Sequence, residues 1–493
     1  MWYRVSLPLG VARVYTSARL CRVWREKMLS IAFHLKDTMK PSWKILIFMV
    51  ATAMLYLFYR FSFRKHFLLK PFEKERHSTS IIYGKYSVWP PFISKTKHTQ
   101  DWYIDECFNG HFSEDLEEVF GSVVSTWSES ENAECADLYQ KFVTLYEVHD
   151  RYSGKIHLPA PFAKRVSEWM KGDKTLLEKI NHQHLIHVFH PLTSEHVVYN
   201  PVRSKRPMPE QKMNIFQWVD KISEESAKEC DFCRYNSMTA VDEFGRHITE
   251  ETLRMTNTFK VEAWHSLVIT RHMHHPLNFT KDMLVRFFQE GMAWIYDVSK
   301  KDQHYIYPNL AWDTLLHAGA SQLHPHLHLM MSPDHYYGFM ELLRSASQRY
   351  YLDTGENYFD AVLDIHAALG LVVEYGDAVA VATITGKADL EVMFLSDYPG
   401  DDFYRLIYYT VQAYHDTFTQ LCKSLGGAWP ALGTSKEASQ GRIPAVARLV
   451  SRGDCTSIRA DYSTLEIFQV VFRPHDPWQV VAAIRRSINK YDK

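Results

Sequence analysis

The sequence predicts an α+β protein of two tandem sheet-plus-helix halves, preceded by an N-terminal extension with a single transmembrane helix. Three observations predict it. Over residues 181–493, short β-branched and aromatic runs alternate with longer stretches whose apolar residues recur at helical spacing. That cycle occurs twice, over 181–350 and 351–493. The third is Ile45–Tyr59, a run uninterrupted by charge. Composition is compatible: 46% hydrophobic and 23% charged residues exclude wholesale disorder. A balance of 56 Lys+Arg against 57 Asp+Glu argues against nucleic acid held by global charge. Seven Cys are too few for a disulfide-rich framework.

Residues 1–43 form a basic tail. Arg4, Arg13, Arg19, Arg22 and Arg25 precede the first acidic residue, Glu26, as in a mitochondrial transit peptide or a basic cytosolic tail. Residues 44–63 read as a membrane anchor. Fifteen helical residues reach only about 22 Å of a core of about 30 Å. Extension to Phe63, with Arg60 snorkelling, closes the gap, and Trp43, Lys44, Arg64 and Lys65 suit the interfaces. Cations flank both ends almost evenly, so the positive-inside rule sets no orientation.

Residues 64–180 carry no readable chemistry; helices are expected over Ala136–Tyr152 and Phe162–Met170. Strand composition marks His184–Phe189, Glu195–Tyr199, Ser266–Thr270, Tyr305–Tyr307 and His326–Met331, with a helix over Thr280–Ser299. The second half predicts helices over Tyr337–Gly355 and Asn357–Leu369, strands over Ala378–Thr385 and Leu390–Leu395, and a helix over Phe403–Leu425. Strands near Ala445–Val450 and Leu465–Val471 and a helix over Pro477–Asn489 close the chain.

Three features carry chemistry. In Gly319-Ala320-Ser321-Gln322-Leu323-His324-Pro325-His326-Leu327-His328, alternate histidines of an extended segment share one face. Neutral imidazole is a good nucleophile near pH 7 and suits attack on phosphorus. Cys230-Asp231-Phe232-Cys233 brings two thiolates close enough for tetrahedral zinc. His272, His274, His275 and His324 supply imidazoles to complete the shell. Arg203-Ser204-Lys205-Arg206, held between prolines, suits phosphates, although on charge alone a solvated loop reads as well.

These features, in this order, resemble the galactose-1-phosphate uridylyltransferase branch of the histidine triad (HIT) superfamily. His190–Pro207 (HPLTSEHVVYNPVRSKRP) resembles that branch's N-terminal signature, and the resemblance covers about 180–493. It implies two HIT-like halves and His326 as a nucleophile forming a covalent nucleotidyl-histidine. It further implies Arg203 and Arg206 on the nucleotide phosphates, Ser321 near them, and one structural zinc (Zn2+) on Cys230, Cys233, His275 and His324. Asn257 and Phe259 resemble a nucleoside contact, Asn309 the Asn that orients the nucleophile, and Glu466 a sugar contact. The family's Gln is here His328, which as an acid favours hydrolysis or phosphorolysis of the intermediate. Histidines of a second metal site are absent around Ala445-Val446-Ala447, so no iron is expected.

The expected function is nucleotidyl transfer between sugar phosphates, with nucleotide sugar and sugar phosphate as substrates and no nucleic acid; a homodimer accords with the family. The alternatives are a HIT-type hydrolase or phosphorylase of nucleotide sugars or dinucleoside polyphosphates, and a non-catalytic, membrane-tethered nucleotide-binding protein. The sequon Asn278-Phe279-Thr280 lies beside a proposed zinc ligand, where a glycan is awkward, so the domain is expected to face the cytosol.

Overall fold

The computed structural model describes residues 91–200, 202–203, 214–432, 442–457, 464–473 and 475–492. The predicted tail 1–43 and anchor 44–63 lie outside the described residues, and among those described no helix is long and apolar enough to cross a membrane.

The order is α1 (Gln100–Cys107), α2 (Leu116–Ser122), α3 (Ala133–Leu145), β1 (Glu147–Lys155), α4 (Ala160–Trp169), α5 (Lys174–Asn181), β2 (His182–His190), β3 (Glu195–Tyr199) and α6 (Ile215–Ala227). Then come α7 (Tyr235–Met238), β4 (His247–Ile248), β5 (Thr252–Thr256), β6 (Trp264–Thr270), α8 (Lys281–Lys301), β7 (Tyr307–Thr314) and β8 (His326–Ser332). The second half has α9 (Gly338–Thr354), α10 (Tyr358–Ala368), β9 (Val372–Tyr375), β10 (Ala378–Val381), β11 (Val392–Ser396), α11 (Asp401–Ala413), β12 (Lys423–Ala428), β13 (Ala445–Ser451), β14 (Val470–Phe472) and α12 (Pro477–Tyr491).

The main sheet has ten strands in the order β4-β5-β6-β8-β7-β12-β13-β11-β10-β9. Read from either edge inward, its two halves are the same arrangement, β4-β5-β6-β8-β7 and β9-β10-β11-β13-β12. In each, a long helix joins the third strand to the fourth in chain order: α8 after β6, α11 after β11. The innermost strands β7 and β12 pair antiparallel, so one continuous sheet results. A smaller sheet, β1-β2-β3-β14, has β14 parallel to β3.

Helix α8 covers one face of the first half. Thr280 caps it by accepting from the Met283 amide, and Leu284, Phe287, Phe288 and Ile295 are buried. Gly291 lets it approach β8: a Cβ there would lie 3.2 Å from a Leu329 methyl and 3.4 Å from one of Leu327. Leu327 and Leu329 therefore face the helix, and pleating sends His326 and His328 to the other face.

Three expected elements are differently bounded. The helix expected to reach Tyr152 stops at Leu145, and Glu147–Lys155 pairs with β2 as an edge strand. The helix expected to reach Leu425 stops at Ala413; a π turn (Tyr414–Phe418) and left-handed Thr419 follow, and Lys423–Ala428 is a central strand. Of the strand expected over Leu465–Val471, Thr464–Phe468 is a 3-10 turn and only Val470–Phe472 pairs. Residues 91–180 pack against the second half: buried Lys141 of α3 meets Asp364 of α10 at 3.3 Å. Disulfides join Cys107 to Cys135 and Cys422 to Cys455.

Candidate active site

Cys230, Cys233, His274 and His324 each direct one ligand atom into a common space, all within 4.8 Å of one another. His274 Nδ1 lies 3.3 Å from His324 Nδ1, and Cys233 Sγ lies 3.4 and 3.5 Å from these nitrogens. Cys230 Sγ is 3.7 Å from His324 Nδ1. Tetrahedral zinc, with bonds of about 2.3 Å to sulfur and about 2.05 Å to nitrogen, requires N···N near 3.3 Å and S···N near 3.6 Å. The four atoms therefore fit one zinc ion. Outer partners fix both rings: His324 Nε2 donates to the Thr270 carbonyl at 2.6 Å, and His274 Nε2 lies 2.8 Å from Ser226 Oγ. Burial holds both imidazoles below the ordinary range, His324 at about 4, and pushes the Cys233 thiol up to about 11 beside Cys230. A cation is what such a cluster needs to release its thiol protons.

The ring that joins the two cysteines and His324 is that of His274, not the expected His275. The neighbouring ring turns away and its Nε2 sits 3.0 Å from Asp220 Oδ1. Adjacent residues of an irregular segment project in different directions, which family register alone does not resolve.

His326 and His328 share a face of β8, with ring centres 5.0 Å apart. His326 is 3% exposed, and its Nδ1–H donates to the His324 carbonyl at 2.9 Å, so Nε2 keeps its lone pair. Phe232, between the two cysteines, sets its ring 5.4 Å from His326 and 5.9 Å from His324. Burial lowers the pKa of His326, so the ring is neutral near pH 7. His328 is held near 3 and His265 near 4, by burial first.

His265, on the adjacent strand β6, completes a relay that sequence reasoning did not include. Its Nδ1 accepts from the Val261 amide at 3.2 Å, so its proton sits on Nε2, 3.0 Å from His328 Nδ1. His328 Nδ1 thus accepts, and His328 carries its own proton on Nε2.

Strand register shows where this face is open. His328 pairs with Ala311, Ala311 with Gly426, and Gly426 with Arg448, a row of residues on one side of the sheet. Gly426 is exposed at the centre of the ten-stranded sheet, and a Cβ added to it would meet nothing within 4 Å. Ala311 and Gly426 therefore floor a cleft, with the histidines at one end. At the other, Arg448 is fixed by Glu195 at 2.8 Å and by Glu391 at 2.7 Å. Glu195 belongs to the His190–Pro207 run, and Thr193 Oγ1 donates to it at 2.9 Å. Beside the histidines on the same face, Asp313 of β7 pairs with Ser424 of β12; burial raises the Asp313 pKa, and the His326 ring lowers it. A Cβ on Gly319, whose φ is +107°, would lie 3.5 Å from Asp313 Oδ2.

Of the other expected site residues, Asn257 joins this face, its Nδ2 lying 3.2 Å from His265 Nε2 and its Oδ1 accepting from the Phe259 amide. Phe259 is 87% exposed. Ser321 is exposed in the bend before β8. Arg203 follows β3 in a turn whose amide bonds to Asn200; Arg206 lies outside the described residues, as does the side chain of Glu466. Asn309 is not brought to His326. It lies opposite Met330, donates to Ser332 Oγ at 3.1 Å and accepts from the Tyr337 amide at 3.0 Å, which ties down the turn after β8.

No family model matches the chain, and no curated protein matches it. Solved structures do. It is similar to an ADP-glucose phosphorylase from Arabidopsis thaliana with bound ADP-glucose (15% identity over 61% of this chain and 97% of that one, TM-score 0.48). It is also similar to a GalT-like protein from Arabidopsis thaliana (14%, 61% and 97%, TM-score 0.46) and to a uridylyltransferase (12%, 62% and 99%, TM-score 0.42). These are proteins of the kind that the motifs resemble.

Proposed function

We propose that the protein is a nucleotidyltransferase that moves a nucleoside monophosphate between phosphate-bearing substrates through a covalent nucleotidyl-His326. One observation carries this reading. His326 Nδ1–H is committed to the His324 carbonyl, which leaves Nε2 as the nucleophilic nitrogen on the face where Ala311 and Gly426 leave the sheet open. The substrate class is a nucleotide with a phosphoanhydride, such as a nucleotide sugar. In the first step His326 Nε2 attacks the α-phosphorus, the N–P bond forms, and the anhydride P–O bond breaks to release sugar phosphate. In the second, an acceptor phosphate oxygen attacks the same phosphorus and the P–N bond breaks. The proton stays on His326 Nδ1 throughout, donated to the His324 carbonyl, whose dipole stabilises the positive charge of the adduct. Cys230, Cys233, His274 and His324 would hold zinc, which supplies a structural tether to this strand entrance.

A second reading, hydrolysis or phosphorolysis of the adduct, has its own observation: the His265–His328 pair places a proton on His328 Nε2 next to the nucleophile. Mixing the protein with a panel of nucleotide sugars and recording intact mass should show one nucleotidyl adduct, absent in His326→Ala. Sugar phosphate that discharges the adduct supports transfer; discharge by water or inorganic phosphate alone supports the second reading. No adduct with any nucleotide would leave a binding protein.

A further inference from the structure

Six cysteines lie among the described residues, and each has a use: two in the metal cluster and four in disulfides. The bonded pairs have Cα separations of 5.4 Å and 5.5 Å, within the span a disulfide bridges, and all four of these residues are buried. They are not chance neighbours on one element. Cys107 closes α1 and Cys135 lies in the first turn of α3. Cys422 immediately precedes β12, and Cys455 lies in the loop after β13. The second pair packs with Leu315, Ala318 and Leu323, beneath the bend that leads into the triad. Stable structural disulfides belong to oxidising compartments, whereas cytosolic thiols are kept reduced.

A surface feature points independently to the same compartment. In the sequon Asn278-Phe279-Thr280, Asn278 is exposed, whereas Phe279 is buried and Thr280 caps α8. His275, the nearest histidine before the sequon, turns to Asp220 and not into the cysteine-histidine cluster.

We propose that this domain folds in an oxidising, glycosylating compartment, where it carries both disulfides and an N-linked glycan on Asn278. That placement is opposite to the cytosolic one expected from the sequence, and it does not depend on the reaction catalysed.

The test uses the full chain expressed in cultured animal cells, with thiols alkylated at lysis. Peptide N-glycosidase should increase its mobility by one glycan. The shift should be lost in Asn278→Gln and kept in Thr280→Ser, which preserves both the sequon and the helix cap. Non-reducing peptide mapping should recover the 107–135 and 422–455 cross-links. Cross-links without a glycan would overturn the modification site, and a glycan without them would overturn the pairing. Full alkylation of the four thiols together with no mobility shift would overturn the compartment.

Discussion

Substitution of Gly426 tests whether substrate lies across the centre of the sheet, because its neighbour provides a matched control. A Cβ at Gly426 meets nothing within 4 Å, so in Gly426→Leu a side chain can start there without strain; replacing a strand glycine by Ala stabilises by about 0.5–1 kcal/mol. The side chain would project into the row between His328 and Arg448, and its four carbons would occupy the space that a phosphate needs. Displacing the reacting group by even about 1 Å costs on the order of 100-fold in rate, or about 2.7 kcal/mol. Gly427 faces the other side. There a Cβ would lie 3.2 Å from the Trp429 ring and 3.3 Å from the Val446 carbonyl, so Gly427→Ala should cost about 1–3 kcal/mol by overpacking. Thermal melts and adduct formation, followed by intact mass, separate the two effects. Gly426→Leu should melt with the parent and form adduct at least about 100-fold more slowly; Gly427→Ala should melt lower yet react at the parent rate while folded. A Gly426→Leu protein that forms adduct at the parent rate would refute the cleft.

Further outcomes follow from the same geometry. His274→Ala should lower bound zinc, measured by elemental mass spectrometry, from about one per chain to near zero, whereas His275→Ala should retain it. Acid should destabilise the fold through His366, which is fully buried between the Val362 carbonyl and the Ile384 amide, and whose pKa burial lowers from 6.5 to about 4. Its contribution is complete above pH 6.5 and is lost as pH falls, by about 3 kcal/mol at pH 4; a denaturation midpoint unchanged between pH 7 and pH 5 would contradict this. Separations of 28 and 33 residues give each disulfide about 3.6–3.8 kcal/mol of loop-closure stabilisation, so reductant should lower the melting temperature, and Cys107→Ala/Cys135→Ala should remove part of that response.

What the sequence showed were features with a local period. Alternation placed His326 and His328 on one face of a strand, and CxxC spacing marked the cysteine-histidine cluster, because both signals are complete within a few residues. What it hid was set by distant partners. Lys423–Leu425 reads as the end of a helix, because the Gly426-Gly427 that follows lacks strand character. Those glycines have separate reasons: Gly426 keeps the cleft floor low, and Gly427 makes room for Trp429. His265 and Asp313 carry no motif and reach the histidines of β8 only through strand pairing. The choice of His274 over His275 depends on how one irregular turn projects two adjacent rings. The strand-order repeat is likewise illegible without pairing, since its two halves share arrangement and not residues.

The cysteine-histidine cluster and His326 are one mechanical unit, and His324 is the residue that makes them so. Its ring gives Nδ1 to the cysteine-histidine cluster and Nε2–H to the Thr270 carbonyl, so the ring has no freedom left. Its own carbonyl is thereby fixed, and that carbonyl holds the Nδ1 proton of His326. The tautomer that the proposed attack by His326 requires is therefore imposed from two residues upstream, by a group that need not touch substrate. Phe232 reinforces the link, since the loop that supplies both cysteines also lays this ring against His324 and His326. The CxxC and HxHxH motifs are far apart in sequence but depend on each other. Without the tether, His324 could turn, its carbonyl would no longer be aimed, and the proton on His326 could move to the nitrogen that must attack.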